Sequence, residues 1–417
     1  MSTGQMICSL ARAALRVSCK RLIGADQRHE TLEVYFDFQE SNREEGMLNA
    51  AEQMTQLRAG SRNHSTQQIG TGYMKILYRT LLLAAFAVTP ATAAESDPGP
   101  IIDVHVHAFG PDRFGPPGQT MCAPSEYWPA RDPAEPMSKY LDAYSGHPDC
   151  AHKFKAPLAA DEIRKRTMAE LKRNHVVLAV TSGDADEVEH WRQQEPDLIL
   201  PGLHLGRTGT LPDIAELRRL HAAGQLKVLG EIAAQNGGMA PNDPKLEPLY
   251  ALAEELDIPV AFHTGLHAPG TAYFGSRGYR AINGDPLLFE EVLVRHPRMR
   301  IYLCHSAWPL EENLIALLYA HPQVYVDTSA IDWFLPRAEF HRYLQRLVEA
   351  GFAKRIMYGT DQMLWPESIP IAIKNIETAK FLTSEQKRDI FYNNAARFFR
   401  ITDKTPSALR VGVSANK

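Results

Sequence analysis

The sequence predicts an α/β fold: a closed parallel (β/α)8 barrel of the TIM type with a long insert after its first strand. Eight short apolar runs alternate with eight amphipathic segments between residues 101 and 399, as expected of βα repeats. Several of the apolar runs end in residues able to bind a metal, and barrels of this kind have their sites at these strand ends. No Gly-x-Gly-x-x-Gly follows the first run, which weakens the alternative of a doubly wound open sheet.

The composition is that of an ordinary globular protein. The 417 residues are 44% hydrophobic and 23% charged, with a formal net charge of -4. A single barrel occupies about 250 residues, so one large domain accounts for most of the chain. The charge gives no sign of a nucleic-acid partner. We expect a small-molecule substrate and no membrane contact beyond export, and the sequence does not decide between a monomer and a homo-oligomer.

The region before the barrel has two parts. Residues 1–73 show no sustained periodicity, and we expect a non-native or disordered extension. Residues 74–94 combine a positive start, an apolar middle and a small-x-small end, the three parts of a secretory signal peptide. The apolar middle is shorter than the about 20 residues that span a bilayer; the alternative is a buried helix. We expect translation to begin at Met74 and the product to be exported to a periplasm.

The chain has five cysteines, and none lies in a Cys-x-x-Cys pair, so a structural zinc module is not expected. In an oxidising compartment Cys122 and Cys150 are able to form a disulfide. The sequence does not give their separation, so a disulfide and two free thiols both remain open. Cys304 lies in an apolar run and is predicted to be a buried thiol.

The barrel elements follow in order along the chain. Strands are predicted at residues 101–106, 176–181, 199–205, 227–232, 260–263, 301–305, 324–328 and 356–360. Helices are predicted at residues 161–173, 185–194, 212–223, 244–256, 286–296, 310–321, 337–350 and 384–399. Pro212, Pro244 and Pro286 suit a first helical turn, and Asp243 and Asp285 are good N-caps.

The first connection is unusually long. Residues 108–160 separate the first strand from its helix, whereas such connections commonly have about two to six residues. The segment is rich in proline, glycine and aromatic residues, and long βα loops lie at the catalytic face of a barrel. We predict a lid or a wall of the substrate pocket; the alternative is an interface or a structural extension. The barrel is expected to span residues 95–401, with a C-terminal tail at 402–417.

Six residues at predicted strand ends are able to bind a metal. His105 and His107 are two positions apart on a strand, so their side chains point to the same face. The others follow later strands: Glu231, His263, His305 and Asp361. Three or four nitrogen and oxygen ligands with an open position make a catalytic metal site, which activates a bound water. These positions predict a metal centre inside the barrel.

The motifs around these residues resemble the amidohydrolase superfamily, in its amidohydrolase-related (amidohydrolase 2) branch, which includes aminocarboxymuconate-semialdehyde decarboxylase. The resemblance covers residues 100–400 and rests on Ile-Asp-Val-His-Val-His, Pro-Val-Ala-Phe-His-Thr-Gly (259–265), His-Pro-Arg-Met-Arg-Ile-Tyr-Leu-Cys-His-Ser (296–306), His-Pro-Gln-Val-Tyr-Val-Asp-Thr-Ser (321–329), Tyr-Gly-Thr-Asp (358–361) and Asn-Asn-Ala-Ala-Arg-Phe-Phe (393–399). It implies a metal-dependent enzyme, and one or two ions, most simply zinc.

The resemblance also implies roles for individual residues. His105, His107, His263 and Asp361 would bind metal, and His305 would be a catalytic histidine or a ligand of a second ion. Glu231 matches the bridging carboxylate of two-metal members; the alternative is a carboxylate that contacts the substrate or supports a ligand.

The predicted reaction is hydrolysis of an amide, lactone or ester of a small molecule by a metal-activated water, with Asp361 as the proton acceptor. The runner-up is a metal-dependent decarboxylase or hydratase, and a third alternative is a non-catalytic binding protein. Trp308 and Trp365, just past two strands, are predicted to form pocket walls. Arg277, in the loop after the fifth strand, is a candidate for binding a substrate carboxylate.

Overall fold

The computed structural model describes residues 17–23, 30–36, 99–265 and 267–401. The chain divides into the units Met1–Ala94 and Glu95–Lys417. In the first unit, strands β1 (Val17–Ile23) and β2 (Glu30–Phe36) pair antiparallel. The rest of the expected extension at 1–73, the expected signal peptide at 74–94 and the expected tail at 402–417 lie outside the described residues.

The described residues of the second unit form ten strands. In chain order they are β3 (Ile101–Ala108), β4 (Thr120–Cys122), β5 (Lys153–Lys155), β6 (Val176–Gly183), β7 (Ile199–Leu205), β8 (Val228–Ile232), β9 (Val260–His263), β10 (Ile301–Cys304), β11 (Val324–Asp327) and β12 (Ile356–Met357). Eight of them form one sheet in the order β12-β11-β10-β9-β8-β7-β6-β3, and every neighbouring pair is parallel. All eight predicted barrel strands are confirmed.

Backbone hydrogen bonds close the sheet between its first and last strands. The amide of Val104 donates to the carbonyl of Tyr358 at 3.0 Å, and the amide of Asp361 donates to the carbonyl of His105 at 2.7 Å. Asp361, which comes after β12 in the chain, therefore lies beside β3. This seam completes the predicted (β/α)8 barrel and places a candidate ligand beside His105.

Helices alternate with the strands. They are Ala160–Arg173, Ala185–Gln194, Ile214–Ala222, Glu247–Leu256, Glu290–Arg295, Glu311–Ala320, Ile331–Phe334, Arg337–Glu349 and Ser368–Glu377. The predicted helix at 384–399 is a helical stretch made of Ser384–Arg388, a π-helical turn Asp389–Asn393 and Asn394–Phe398. The helix Ser368–Glu377 was missed by the sequence analysis, because Pro370 in its first turn interrupts the helical pattern. In the described residues no helix is both long and apolar enough to cross a bilayer.

Two of the three predicted proline starts are confirmed. Asp243 and Asp285 cap the 3-10 turns Pro244–Leu246 and Pro286–Phe289, each by accepting a backbone amide at 2.9 Å. The prediction for Pro212 is wrong. Asp213 is the N-cap there, and the helix begins at Ile214, because the aspartate side chain accepts the amide of Ala215.

Two layers of apolar residues stabilise the barrel. The larger cluster lies between the strands and the surrounding helices. The smaller one contains alternate residues of β3, β6 and other strands, such as Ile102 and Val104, together with Phe398 of the final helix. Because alternate residues share one face of a strand, this second cluster fills the barrel interior. The register of β3 shifts between Asp103 and Val106, which lets His105 and His107 face the interior beyond Val104. Tyr302 crosses that interior and donates its hydroxyl to the carbonyl of Val104 at 2.8 Å.

The insert at 108–160 is folded. Strands β4 and β5 pair antiparallel within it, and the helix Met137–Leu141 continues into a π-helical turn, Asp142–Gly146. A disulfide joins Cys122 to Cys150, which settles the alternative left open by the sequence. Cys304 is a free, buried thiol as predicted. The insert contributes side chains to the large cavity over the barrel, as expected of a pocket wall.

Candidate metal centre

The six predicted strand-end residues come together at one end of the barrel interior. Each of them is buried, with at most 7% of its surface exposed. They fall into two groups of three, and within each group the candidate ligand atoms lie within 4.8 Å of one another: His105, His107 and Asp361 in one, and Glu231, His263 and His305 in the other. The barrel therefore brings into contact residues that are up to 256 positions apart in the chain.

The first group is built on β3. His105 Nε2 lies 3.2 Å from His107 Nε2, as the i, i+2 spacing on a strand predicts. Asp361 Oδ1 lies 3.1 Å from His107 Nε2 and 4.0 Å from His105 Nε2. Two imidazoles and a carboxylate thus face a common point.

Glu231 belongs to the second group and also faces the first. Its Oε2 is 3.5 Å from His107 Nε2 and 3.7 Å from His105 Nε2. Its Oε1 is 3.4 Å from His305 Nε2. Gly230, just before it, has a φ of 135° and approaches β9 so closely that a Cβ atom would lie 2.2 Å from the carbonyl of Ala261. Glycine at 230 therefore allows β8 to hold Glu231 at the centre.

Two of the six residues have a left-handed backbone. The φ angle is 61° at His305 and 52° at Asp361, a conformation that costs non-glycine residues about 1–3 kcal/mol each. Strained backbone of this kind clusters at functional sites and persists only where surrounding structure enforces it. Here it turns both side chains towards the other candidate ligands.

Every histidine of the centre has its Nδ1 atom held by a neighbour at 2.9–3.1 Å. These partners are Asp327 for His105, Ser182 for His107, Gln235 for His263 and Ser329 for His305. Such contacts fix the ring orientation and the tautomer, and they occur around metal-binding histidines generally. In His105, His107 and His305 the other ring nitrogen, Nε2, lies 3.4–3.7 Å from an oxygen of Glu231.

The electrostatics favour the ligand forms of His263 and Glu231, whereas the pKa values of His105 and His305 are raised. Burial, together with nearby His305, lowers the pKa of His263 to about 3, so its imidazole is neutral at physiological pH. Burial alone would raise the pKa of Glu231, but the facing histidines hold it well below its usual value. Metal binding requires neutral imidazole and ionised carboxylate.

Two buried carboxylate oxygens at the centre have no hydrogen-bond partner among the described residues: Glu231 Oε1 and Asp361 Oδ1. Asp361 Oδ1 is near His107 Nε2 but outside hydrogen-bonding geometry. Buried polar atoms are almost always paired, and an unpaired carboxylate oxygen is costly. Facing imidazole nitrogens, these oxygens match the donor set of a divalent cation, so the residues present fit a metal site.

A cavity of about 960 Å³ opens above the centre. Trp308 and Trp365 line it, at positions where the sequence predicts pocket walls. Trp365 is buried and nearly parallel to Phe114 of the insert, with ring centroids 6.3 Å apart. The structure does not bring Arg277 to this cavity: its side chain is exposed and outside the lining residues, because the loop after β9 directs it to solvent.

Several residues at the centre were missed by the sequence analysis. Asp327 ends β11 and accepts the amide of His305 at 2.7 Å as well as contacting His105; its position at a strand end was an available signal. Arg113, Arg207 and His204 also line the cavity. The two arginines lie in loops, where no periodicity shows which way a side chain points.

The sequence profile of the Amidohydrolase family matches residues 102–401. Among curated proteins, protein fluG of Emericella nidulans is 23% identical over 165 residues, a stretch that covers 36% of this chain and 18% of that protein. This chain therefore matches less than a fifth of that relative's length.

Solved structures with a similar fold include an uncharacterised TIM-barrel protein from Bordetella bronchiseptica, with 19% identity, 59% of this chain and 86% of that chain covered, and a TM-score of 0.47. A probable 2-pyrone-4,6-dicarboxylic acid hydrolase from Acinetobacter baumannii is 15% identical, and the match covers 72% of this chain and 99% of that chain with a TM-score of 0.44. The 5-carboxyvanillate decarboxylase of Sphingomonas paucimobilis is 19% identical, and the match covers 56% of this chain and 82% of that chain with a TM-score of 0.41. With its eight-stranded barrel, its clustered histidines and carboxylates and a profile match over most of its length, the chain belongs to the amidohydrolase family.

Proposed function

We propose that this protein is a metal-dependent hydrolase acting on an amide, lactone or ester of a small molecule, with two divalent ions held on either side of Glu231. The supporting observation is the position of that carboxylate. One oxygen faces His105 and His107, and the other faces His305. A carboxylate placed in this way suits a bridging ligand between two ions, and paired ions are common in hydrolytic sites.

The ligands divide between the two ions as the two groups do. His105, His107 and Asp361 would hold one, His263 and His305 would hold the other, and Glu231 would be shared. Imidazole and carboxylate ligands suit zinc, which we propose as the metal. When bound, such ions acidify a water molecule and polarise the carbonyl of the substrate.

The protein's own residues orient the reactants and move the proton. Asp361 is buried beside His107, and its carboxylate would accept a proton from the attacking water and pass it to the leaving group. His305, held through Nδ1 by the carbonyl of Ser329, would present Nε2 as a ligand to the second ion, whose charge would stabilise the developing oxyanion. The apolar cavity walls exclude water from the substrate.

The first test is metal content together with turnover. Protein purified without chelator should contain about two zinc ions per chain by elemental analysis, in keeping with a two-metal site, and should hydrolyse members of a panel of lactones, esters and amides. Release of carbon dioxide from aromatic acids, without ester or amide turnover, would identify a decarboxylase instead. Fully active protein free of metal would contradict the proposal.

Asp361→Asn tests the proton transfer. We expect hydrolysis to slow by about 10²–10⁴-fold, the usual contribution of a general acid–base residue, because the amide is not a base. Circular dichroism should be unchanged, since asparagine has nearly the same shape. Asp186→Asn, an exposed change on the helix Ala185–Gln194, serves as the matched control. Unchanged turnover in Asp361→Asn would reject the assignment.

The protein is also proposed to be exported and to act in a periplasm. The disulfide between Cys122 and Cys150 supports this location, because disulfides persist mainly in oxidising compartments. N-terminal sequencing of the mature protein should find a start near residue 95, after the expected signal peptide. A mature protein that retains residues 74–94, or is recovered from the cytoplasm with both thiols free, would contradict export.

A further inference from the structure

Two arginines face the large cavity without an ion-pair partner. Arg113 lies in the insert and Arg207 follows β7, and both line the cavity. Among the described residues, neither has a carboxylate oxygen within ion-pair distance. The Nε atom of Arg113 is buried and has no hydrogen-bond acceptor. A buried guanidinium donor without an acceptor is costly unless a ligand supplies one.

The structure holds both guanidinium groups in place. Arg113 lies over the ring of Phe109 at 4.2 Å, and its Nη2 donates to Nδ1 of His204 at 3.0 Å. Arg207 lies over the ring of Phe114 at 5.5 Å. Burial, and then the nearby Arg207, lower the pKa of Arg113. Two positive groups are thus fixed close together, and an anion between them would relieve their repulsion.

This pair lies beside the metal centre and not within it. The ring of His107 stacks on Phe109 with centroids 4.1 Å apart and planes 12° from parallel. Arg113 is equally close to the centroid of the same ring, at 4.2 Å. His204 links the two regions, because its Nε2 lies 3.6 Å from Glu231 Oε2. Phe109 and His204 therefore each contact both Arg113 and a candidate ligand.

We propose that Arg113 and Arg207 form an anion site for a carboxylate of the substrate that does not itself react. A guanidinium fork matches a carboxylate, and the aromatic cavity walls suit a planar apolar body. This inference rests on the proposed function and narrows its substrate to an aromatic acid that also bears an ester, lactone or amide. It assigns to Arg113 and Arg207 the role that the sequence predicted for Arg277.

The test compares benzoate with benzamide, which has the same shape without the charge, by isothermal titration calorimetry on metal-loaded protein. Wild type should bind benzoate more tightly than benzamide. Arg113→Met and Arg207→Met should each weaken benzoate binding about ten- to a hundredfold, as expected for a lost hydrogen bond between charged groups, and leave benzamide within about twofold. Arg113→Lys keeps the charge without the fork and should fall in between.

Arg277→Met is the matched control, because this exposed arginine lies outside the cavity; its benzoate affinity should equal that of wild type. Equal binding of both probes by wild type, no binding of either, or equal losses in all three methionine variants would overturn the inference. Folding of each variant is checked by its melting temperature. If one methionine variant does not fold, the inference is tested with the other methionine variant and with Arg113→Lys.

Failure of this inference is distinguishable from failure of the proposed function. Metal content and ester hydrolysis are measured on the same samples. Protein that holds metal and hydrolyses neutral esters, yet shows no arginine-dependent preference for benzoate, would reject the anion site alone. Protein that holds no metal but keeps this preference would reject the hydrolase proposal and leave the anion site standing.

Discussion

Asp327 shows how single residues organise the centre. It is fully buried, contacts His105 through Oδ2 at 3.1 Å and accepts the amide of His305 through Oδ1 at 2.7 Å. The hydroxyl of Ser329 also donates to it. One carboxylate therefore orients a histidine of each group. Partners of this type set ring orientation and the basicity of the ligand.

Asp327→Asn should therefore weaken metal binding by about 10–100-fold, the usual cost of losing such a partner. The amide is uncharged, so it holds the His105 ring less firmly. Metal affinity is measured by competition with a chromophoric chelator. Asp213→Asn, which alters the exposed N-cap of the helix Ile214–Ala222, is the control. An unchanged metal affinity would show that the Asp327 carboxylate does not support the site.

The insert at 108–160 forms part of the wall of the cavity above the candidate metal centre. Its strands β4 and β5 form a small antiparallel pair, and the disulfide ties Cys122, at the end of β4, to Cys150. Between these cysteines lie cavity-lining residues, including Trp128 and Tyr144. The disulfide thus limits the freedom of the segment that forms part of the pocket wall.

Replacing both cysteines by alanine should loosen this wall. The sequence separation of 28 residues corresponds to about 3–4 kcal/mol of lost stabilisation in the chain-entropy treatment. We expect KM for the best substrate to rise while metal content stays constant, because the ligands belong to the barrel. Faster proteolysis within 123–149 would locate the change. Dithiothreitol should not raise KM further in the double-alanine variant, because that variant has no disulfide to reduce. A further rise would show that dithiothreitol acts by chelating the metal.

At the scale of the whole molecule, the barrel holds like charges together. Glu231 and Asp361 are buried at its centre, and Asp327 and Asp103 are fully buried in the same barrel. Burial raises the pKa of Asp103 to about 7, against hydrogen bonds to Thr360 and the amide of His105 that favour its charged form. A bound cation would offset repulsion among the carboxylates.

Removing metal should consequently lower the stability of the entire barrel. With free ion at one hundred times its dissociation constant, binding stabilises the folded state by about 2.7 kcal/mol. Scanning calorimetry of chelator-treated protein should show a lower melting temperature, fully restored by added zinc. Magnesium, which prefers oxygen ligands, is the control ion and should restore less. A melting temperature that is the same with and without zinc would contradict a metal bound in the folded state.

Much of the architecture was predictable because it depends on local pattern. All eight barrel strands were found from short apolar runs, and β7 and β9 have the predicted bounds. The six strand-end residues were also identified, since parallel strands in a barrel bring their carboxyl ends to one face. The helix Ser368–Glu377 and the start at Ile214 were not, because proline and capping signals there conflict with the hydrophobic period.

The sequence by itself determined the barrel, the identity of the residues at its centre and the family, because periodicity and motif spacing are properties of neighbouring residues. Only the tertiary structure decided which arginines reach the cavity, that Cys122 meets Cys150, and that Glu231 faces two groups at once. These facts depend on loop paths and on the left-handed backbone at His305 and Asp361. Contacts across the whole chain impose both, and no local pattern records them.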